Sequence, residues 1–263
     1  KKGGDEDTSV ADGTDVTDVA EDGMDVPDTE GDVPDDTGGE DAAPPPCNEG
    51  SQWTEGTVAF REVTEEWGLV GVKGTRLSVT DIDGDGWADV MVRNGAGPDD
   101  FSTAEGRRRW LLRNTGEGGF EDVTQSSGLL VSRTDPDPDH GRAAEVWASG
   151  DVDNDGDLDI FTANRRVNPF DAETETSELM LNNGDGTFSL GPEESDARLA
   201  DVQSDPSGVS FVDFDGDGNL DIWITHNDNG EGPVQDRLLR GDGTGGFTDV
   251  TYERGLFTHN WTS

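Results

Sequence analysis

The chain has 263 residues with 60 Asp and Glu against 18 Lys and Arg, a formal charge of −42. That balance argues against nucleic acid or an anionic membrane surface as a partner, since both repel an acidic protein. No run of 18 apolar residues occurs, so no helical membrane span is expected, and Cys47, the single cysteine, cannot form a bridge within the chain.

In chain order, residues 1–46 hold 16 acidic side chains, two Lys and no aromatic residue. They cannot bury enough apolar surface to offset the entropy of ordering, so residues 1–50 are expected to form a disordered Asp/Thr/Gly/Pro-rich linker, extended by its own repulsion. Residue 1 is not Met and no signal peptide is visible, which fits a processed or truncated N-terminus. Residues 51–263 read differently, as repeats.

An apolar strand at Leu77–Thr80 leads into Asp81-Ile82-Asp83-Gly84-Asp85-Gly86-Trp87-Ala88-Asp89, and the strand Val90-Met91-Val92 leaves it. A third strand, Trp110–Arg113, passes through a Gly-rich turn into a fourth containing Phe120. The unit recurs. Val146–Ser149 precedes Asp151-Val152-Asp153-Asn154-Asp155-Gly156-Asp157-Leu158-Asp159, followed by Ile160–Thr162, Leu179–Asn182 and Phe188. Val209–Val212 precedes Asp213-Phe214-Asp215-Gly216-Asp217-Gly218-Asn219-Leu220-Asp221, followed by Ile222–Ile224, Leu238–Arg240 and Phe247. A second string, Phe-x-x-Val-Thr followed by Gly-Leu, keeps step at Phe60, Phe120 and Phe247, with a degenerate copy at Phe188. No long stretch has a helical period. Four antiparallel strands per unit make one propeller blade, so the fold expected is all-β, a partial β-propeller of about three four-stranded blades near 70–124, 140–190 and 205–251, with another beginning at 252–263. Thr57–Thr64 reads as a fourth strand with no blade before it.

Four carboxylates in each nine-residue loop repel one another strongly and should stay compact only around a hard, oxygen-seeking cation. Asp at positions one, three and five aims alternate side chains at one centre, and Gly at position six supplies the sharp turn. Calcium fits better than magnesium, which usually keeps several waters. The expected ligands are Asp81, Asp83, Asp85, the carbonyl of Trp87, and Asp89; Asp151, Asp153, Asp155, the carbonyl of Asp157, and Asp159; Asp213, Asp215, Asp217, the carbonyl of Asn219, and Asp221. About three ions follow. An EF-hand is excluded, because its twelfth-position Glu is replaced by Val92, Thr162 and Ile224 and strands stand where its helices would. A lone DxD after an apolar strand could be a phosphotransfer nucleophile, but three copies at one place in a repeat disfavour an active site.

The DxDxDGxxD loops and the LxxNxGxGxFxDVTxxxGL string from Leu111 to Leu129 resemble the FG-GAP/VCBS repeats of integrin-α-type β-propellers, and especially cartilage-acidic-protein-like bacterial surface proteins. The resemblance covers roughly 56–263. It implies a calcium loop between the first and second strands of each blade and a non-catalytic, extracellular or cell-surface module for adhesion or for binding a protein or glycan. It also implies six to eight blades in a closed ring, so a fragment lacking further blades is expected. A lipid-anchored bacterial protein would suit the acidic stalk, and a propeller belonging to a secreted polysaccharide-degrading enzyme is the alternative.

Propeller geometry would gather Asp99–Arg109, Val131–Glu145, Arg165–Ser177 and Asn227–Gln235 on the face opposite the calcium loops. These segments hold Arg107, Arg108, Arg109, Arg133, His140, Arg142, Arg165 and Arg166, which makes that face the expected site for a protein or glycan ligand. His140, His226 and His259 are isolated, and no hydrolase, metalloprotease or phosphate-loop motif occurs.

Overall fold

The computed structural model describes residue 56 and residues 60–95, 97–164, 175–199, 205–227 and 236–256. The acidic segment 1–50, Cys47, Arg165, Arg166 and His259 lie outside them. The described residues are all-β apart from one 3₁₀ turn at Asp196–Arg198.

Three four-stranded antiparallel sheets carry the fold. The first comprises β1 (Arg76–Thr80), β2 (Asp89–Arg93), β4 (Arg109–Asn114) and β5 (Phe120–Asp122). The second comprises β7 (Val146–Gly150), β8 (Asp159–Ala163), β9 (Glu178–Asn182) and β10 (Phe188–Leu190). The third comprises β11 (Asp205–Val212), β12 (Asp221–Asn227), β13 (Arg237–Gly241) and β14 (Phe247–Asp249). Each is a meander in which sequence neighbours pair, the arrangement of a propeller blade. Between the first two lies a two-stranded ribbon, β3 (Asp99–Asp100) with β6 (His140–Gly141), a long-range pairing that the sequence pattern did not announce.

The blades stack through apolar faces. Side chains alternate across a strand, so β8 serves two interfaces at once. Ile160 packs with Met91, Leu111 and Met180 in one cluster, while Phe161 and Ala163 pack with Leu179, Ile222, Ile224 and Leu239 in the other. Every residue of β8 is buried, as expected of a strand sandwiched on both faces.

Backbone hydrogen bonds lock one blade to the turn before it. The Val-Thr-x-x-x-Gly-Leu string closes as a helical turn, with Trp67 N–H donating to Val63 carbonyl and Ser127 N–H to Val123 carbonyl. The carbonyl of Trp67 then accepts from Phe120 N–H at 3.0 Å, and that of Ser127 from Phe188 N–H at 2.7 Å. The expected strand at 57–64 is not seen: residues 60–64 form no strand, and Phe60 is exposed. A fourth strand needs a third to pair with, and none precedes it among the described residues. The segment instead runs into the turn whose Trp67 ring lies 5.9 Å from Phe120.

At the degenerate copy after β10 a different device does the same work. Ser195 Oγ accepts from Phe247 N–H, and Asp196 Oδ2 from Asp249 N–H at 2.7 Å. The Gly of the turn matters for space as well as backbone angle: a Cβ on Gly128 (φ +74°) would sit 2.9 Å from the carbonyl oxygen of Phe188, whereas one on Gly156 (φ +97°) would meet nothing within 4 Å. Gly156→Ala should therefore show only the strain of a positive φ, about 1–3 kcal/mol, and Gly128→Ala a larger loss in chemical denaturation. Equal losses would contradict the close approach.

Candidate metal centres

Each acidic loop joins the first and second strands of its blade, and the strand ends bring its carboxylates together. Oxygens of Asp81, Asp83 and Asp85 lie within 4.8 Å of one another, as do those of Asp151, Asp153 and Asp159, and those of Asp213, Asp215 and Asp221. Of the expected side chains, these nine converge. Asp89, Asp155 and Asp217 stand in the same loops but outside those three groupings.

The loops hold their shape through Asx-type bonds. The position-one carboxylate accepts from the position-six amide, as Gly86 N–H to Asp81 Oδ2 at 2.9 Å and Gly156 N–H to Asp151 Oδ2 at 3.1 Å. The position-five carboxylate accepts from the position-seven amide, as Asp157 N–H to Asp155 Oδ1 at 3.0 Å. Those bonds leave oxygens unspent. Asp81 Oδ1 and Asp153 Oδ1 are buried and make no hydrogen bond, an arrangement that costs free energy unless something positive satisfies them. The residues therefore fit a bound hard cation.

The ninth-position Asp has a second duty that the sequence did not reveal. Asp89, Asp159 and Asp221 are all buried, and each uses both carboxylate oxygens on backbone amides. In blade two, Asp159 Oδ2 accepts from Val152 N–H at 3.0 Å and Oδ1 from Asn182 N–H at 2.8 Å. Asp89 spans Ile82 and Asn114 in the same way, and Asp221 spans Phe214 and Gly241. This carboxylate ties its loop to the third strand. It also fixes position two, whose Ile82 and Val152 side chains plug the two inter-blade cores. Asn182 adds a bond across the blades, donating from Nδ2 to the carbonyl of Ile82 at 2.7 Å.

Position seven packs rather than reaches. A Cβ on Gly116 would lie 2.7 Å from Trp87 Nε1, on Gly184 2.8 Å from Asp157 Oδ2, and on Gly243 2.3 Å from Asn219 Oδ1. The side chains of Trp87, Asp157 and Asn219 thus lie over the glycine of their own blade's second turn.

Two loops have a basic neighbour that sequence reasoning missed. Arg254 Nη2 lies 3.4 Å from Asp215 Oδ2, its guanidinium 4.8 Å from the Phe214 ring centre, and Arg113 Nη1 lies 3.9 Å from Asp83 Oδ2. The loop of blade two has five carboxylates and no basic partner among the described residues. It is the one most dependent on an external cation.

Burial, then the nearby carboxylates, push Asp89 and Asp159 up to about 6 despite their backbone hydrogen bonds. Burial also raises Asp83, Asp153 and Asp221. A carboxyl raised on folding contributes stability below its unfolded pKa, about 3.9, and loses it as pH rises through the folded value.

Two of the basic residues expected on a ligand face, Arg109 and Arg142, are buried, which corrects the reading for those two, while Arg107, Arg133 and His140 stay partly exposed beside acidic partners. Arg109 is fully buried, 2.8 Å from Asp99 Oδ2 and donating to the carbonyls of Gly97 and Ala144. Arg142 is buried and donates to the carbonyls of Val131 and Leu129. Arg133 pairs with Glu178 at 3.1 Å, Arg107 with Asp122 at 3.0 Å, and His140 with Asp135 at 2.7 Å. Buried Asp99 of β3 draws Arg109 inward, and the carbonyls of Leu129 and Val131 draw Arg142, because a buried carbonyl or carboxylate needs a donor.

Three meanders, each opened by the same acidic hairpin, define a propeller-type repeat protein. Residues 73–107 match the FG-GAP repeat model and residues 151–224 the FG-GAP-like repeat model, so all three acidic loops fall inside matched segments. These two segments carry FG-GAP-type repeats. No curated protein matches it.

Two outcomes test the division of labour in the loops. Asp155→Asn keeps the Asx turn and should weaken only metal binding, whereas Asp159→Asn should destabilise the chain by about 1–3 kcal/mol even in chelator, since it strands a buried amide. In chelator the protein should unfold at a higher denaturant midpoint at pH 5 than at pH 7.5, with a smaller difference in Asp159→Asn; no difference between the two proteins would contradict the raised carboxyl.

Proposed function

We propose that this chain is a calcium-binding, extracellular or cell-surface β-propeller module for adhesion or ligand binding, in which calcium is structural. The ligand sets are those of the three loops, with Asp89, Asp159 and Asp221 serving as brace and ligand together. One observation carries the reading: three equivalent hairpins gather carboxylate oxygens within 4.8 Å, and in two of them a buried oxygen has no partner. Calcium would neutralise charge that the fold concentrates at the joint between first and second strands.

The protein's own residues do the rest. The Asx bonds pre-shape each loop, the ninth-position carboxylate anchors it to the third strand, and Ile82 or Val152 couples it to the next blade. Metal binding would therefore stiffen blade contacts as well as hairpins. Extracellular placement is supported by the family resemblance and by the modest affinity, on the order of 10⁻⁴ to 10⁻³ M, of many extracellular calcium modules. No helix of the described residues is long and apolar enough to cross a membrane. The ligand, a protein or a glycan, would bind on the face opposite the calcium loops.

Thermal unfolding of the whole chain in chelator and then across a calcium titration tests this reading, with magnesium as the control. The midpoint should rise specifically with calcium, about three ions should bind at saturation, and each site should add about 2.7 kcal/mol at a free concentration 100 times its Kd. An unchanged midpoint, or an equal response to magnesium, would overturn it.

A further inference from the structure

A cavity of about 350 Å³ opens where the first strands converge, at the strand ends away from the acidic loops. Arg76, Ser78, Met91 and Arg93 reach it from β1 and β2, Trp147 from β7 and Ser207 from β11. The register there sets arginines opposite one another twice over, Arg93 facing Arg76 on β1 and Arg109 on β4. Arg76 and Arg93 are cross-strand partners, so their side chains leave the sheet on the same face. Like charges so placed destabilise a sheet unless an anion answers them.

The acids nearby do not answer both. Glu145, also on the cavity wall, pairs with Arg93 Nη2 and stands 3.7 Å from Arg109 Nη2. Asp99 is spent on Arg109 at 2.8 Å. Two carboxylates thus serve three arginines. Arg76, exposed on β1, makes no ion pair or side-chain hydrogen bond with any described residue, and Arg93 Nε is buried without a partner. Burial, then Arg109 and Arg76, push Arg93 down to about 10, and a second anion beside it would add to what Glu145 supplies. In a chain of charge −42, an excess of positive charge at one cavity is a local departure from the whole surface.

We propose that this cavity binds a uronic acid residue of an acidic glycan, its carboxylate held by Arg76 and Arg93. A planar guanidinium fork matches a carboxylate in two-point geometry, and a cavity of this size accepts one or two sugar rings. Trp147 is half-buried and spends its ring N–H on the carbonyl of Ala144 at 3.2 Å, so it presents the cavity with apolar ring surface. Ser78 supplies a hydroxyl for the ring hydroxyls of a sugar. An acidic protein side chain would use the arginines but leave the tryptophan face and the Ser78 hydroxyl without a role; Ser207 is already bonded to Thr225 Oγ1 at 3.0 Å. The inference rests on the ligand-binding reading above, and it names the ligand class and the place.

The test is calorimetric titration of the calcium-saturated full chain with digalacturonate, at fixed free calcium. Its methyl ester, a short poly-aspartate peptide and the variants Arg76→Gln and Arg240→Gln complete the set; Arg240 is exposed on β13, away from the cavity. Digalacturonate should bind, the neutral ester at least tenfold more weakly, and Arg76→Gln should lose at least tenfold while Arg240→Gln changes less than twofold. Equal losses in the two variants would reduce the effect to net charge and overturn the proposal. So would binding of the peptide in preference to the uronate, or no binding at all. Calcium-induced stabilisation is read on the same samples: if it persists while the uronate fails to bind, only the cavity proposal falls, and if it is absent the calcium reading falls with it.

Discussion

The structure depends on negative charge concentrated at one end of each blade. Four carboxylates per hairpin would drive first and second strands apart in the absence of a counter-charge, yet three carboxylate oxygens of each loop lie within 4.8 Å of one another. They can lie so close because most of the carboxylates accept from backbone amides. Asp81 caps Gly86, Asp155 caps Asp157, and Asp159 bridges Val152 and Asn182. Oxygens that no amide reaches, such as Asp153 Oδ1, are the residual demand that a cation would meet.

From that constraint the blade contacts follow. The second residue of each of the first two loops is apolar and points into the joint with the next blade, so a loop that holds its shape also holds Ile82 or Val152 in place. Asn182 stitches the two at the backbone. A stabilising metal would thus act on the stacking of blades as well as on a surface hairpin. This coupling explains why an acidic surface loop recurs at a structurally central position.

Strands and loops were legible in the sequence because both rest on local patterns. Alternating β-branched and aromatic residues mark strands, and DxDxDG marks a turn that needs glycine at its sixth place. Repetition then removed the ambiguity of any one copy. What escaped was set by distant partners. The β3–β6 ribbon pairs residues about forty positions apart, and its Asp99 holds Arg109 buried rather than displayed. The bracing by Asp159 depends on where the third strand falls, and the Ser195–Asp196 substitute for a Val-Thr turn has no motif of its own. The opposed arginines of β1 and β2 required the register, which no single strand reveals.

The most direct measurement of the central claim is amide hydrogen exchange with and without calcium, read at the amides that the ninth-position carboxylates hold: Ile82 and Asn114, Val152 and Asn182, Phe214 and Gly241. All six should gain protection on adding calcium, most strongly at Val152 and Asn182, where no arginine among the described residues offsets the charge. Unchanged protection at all six would contradict the account, because it would mean that the loops and blade joints are held without a cation.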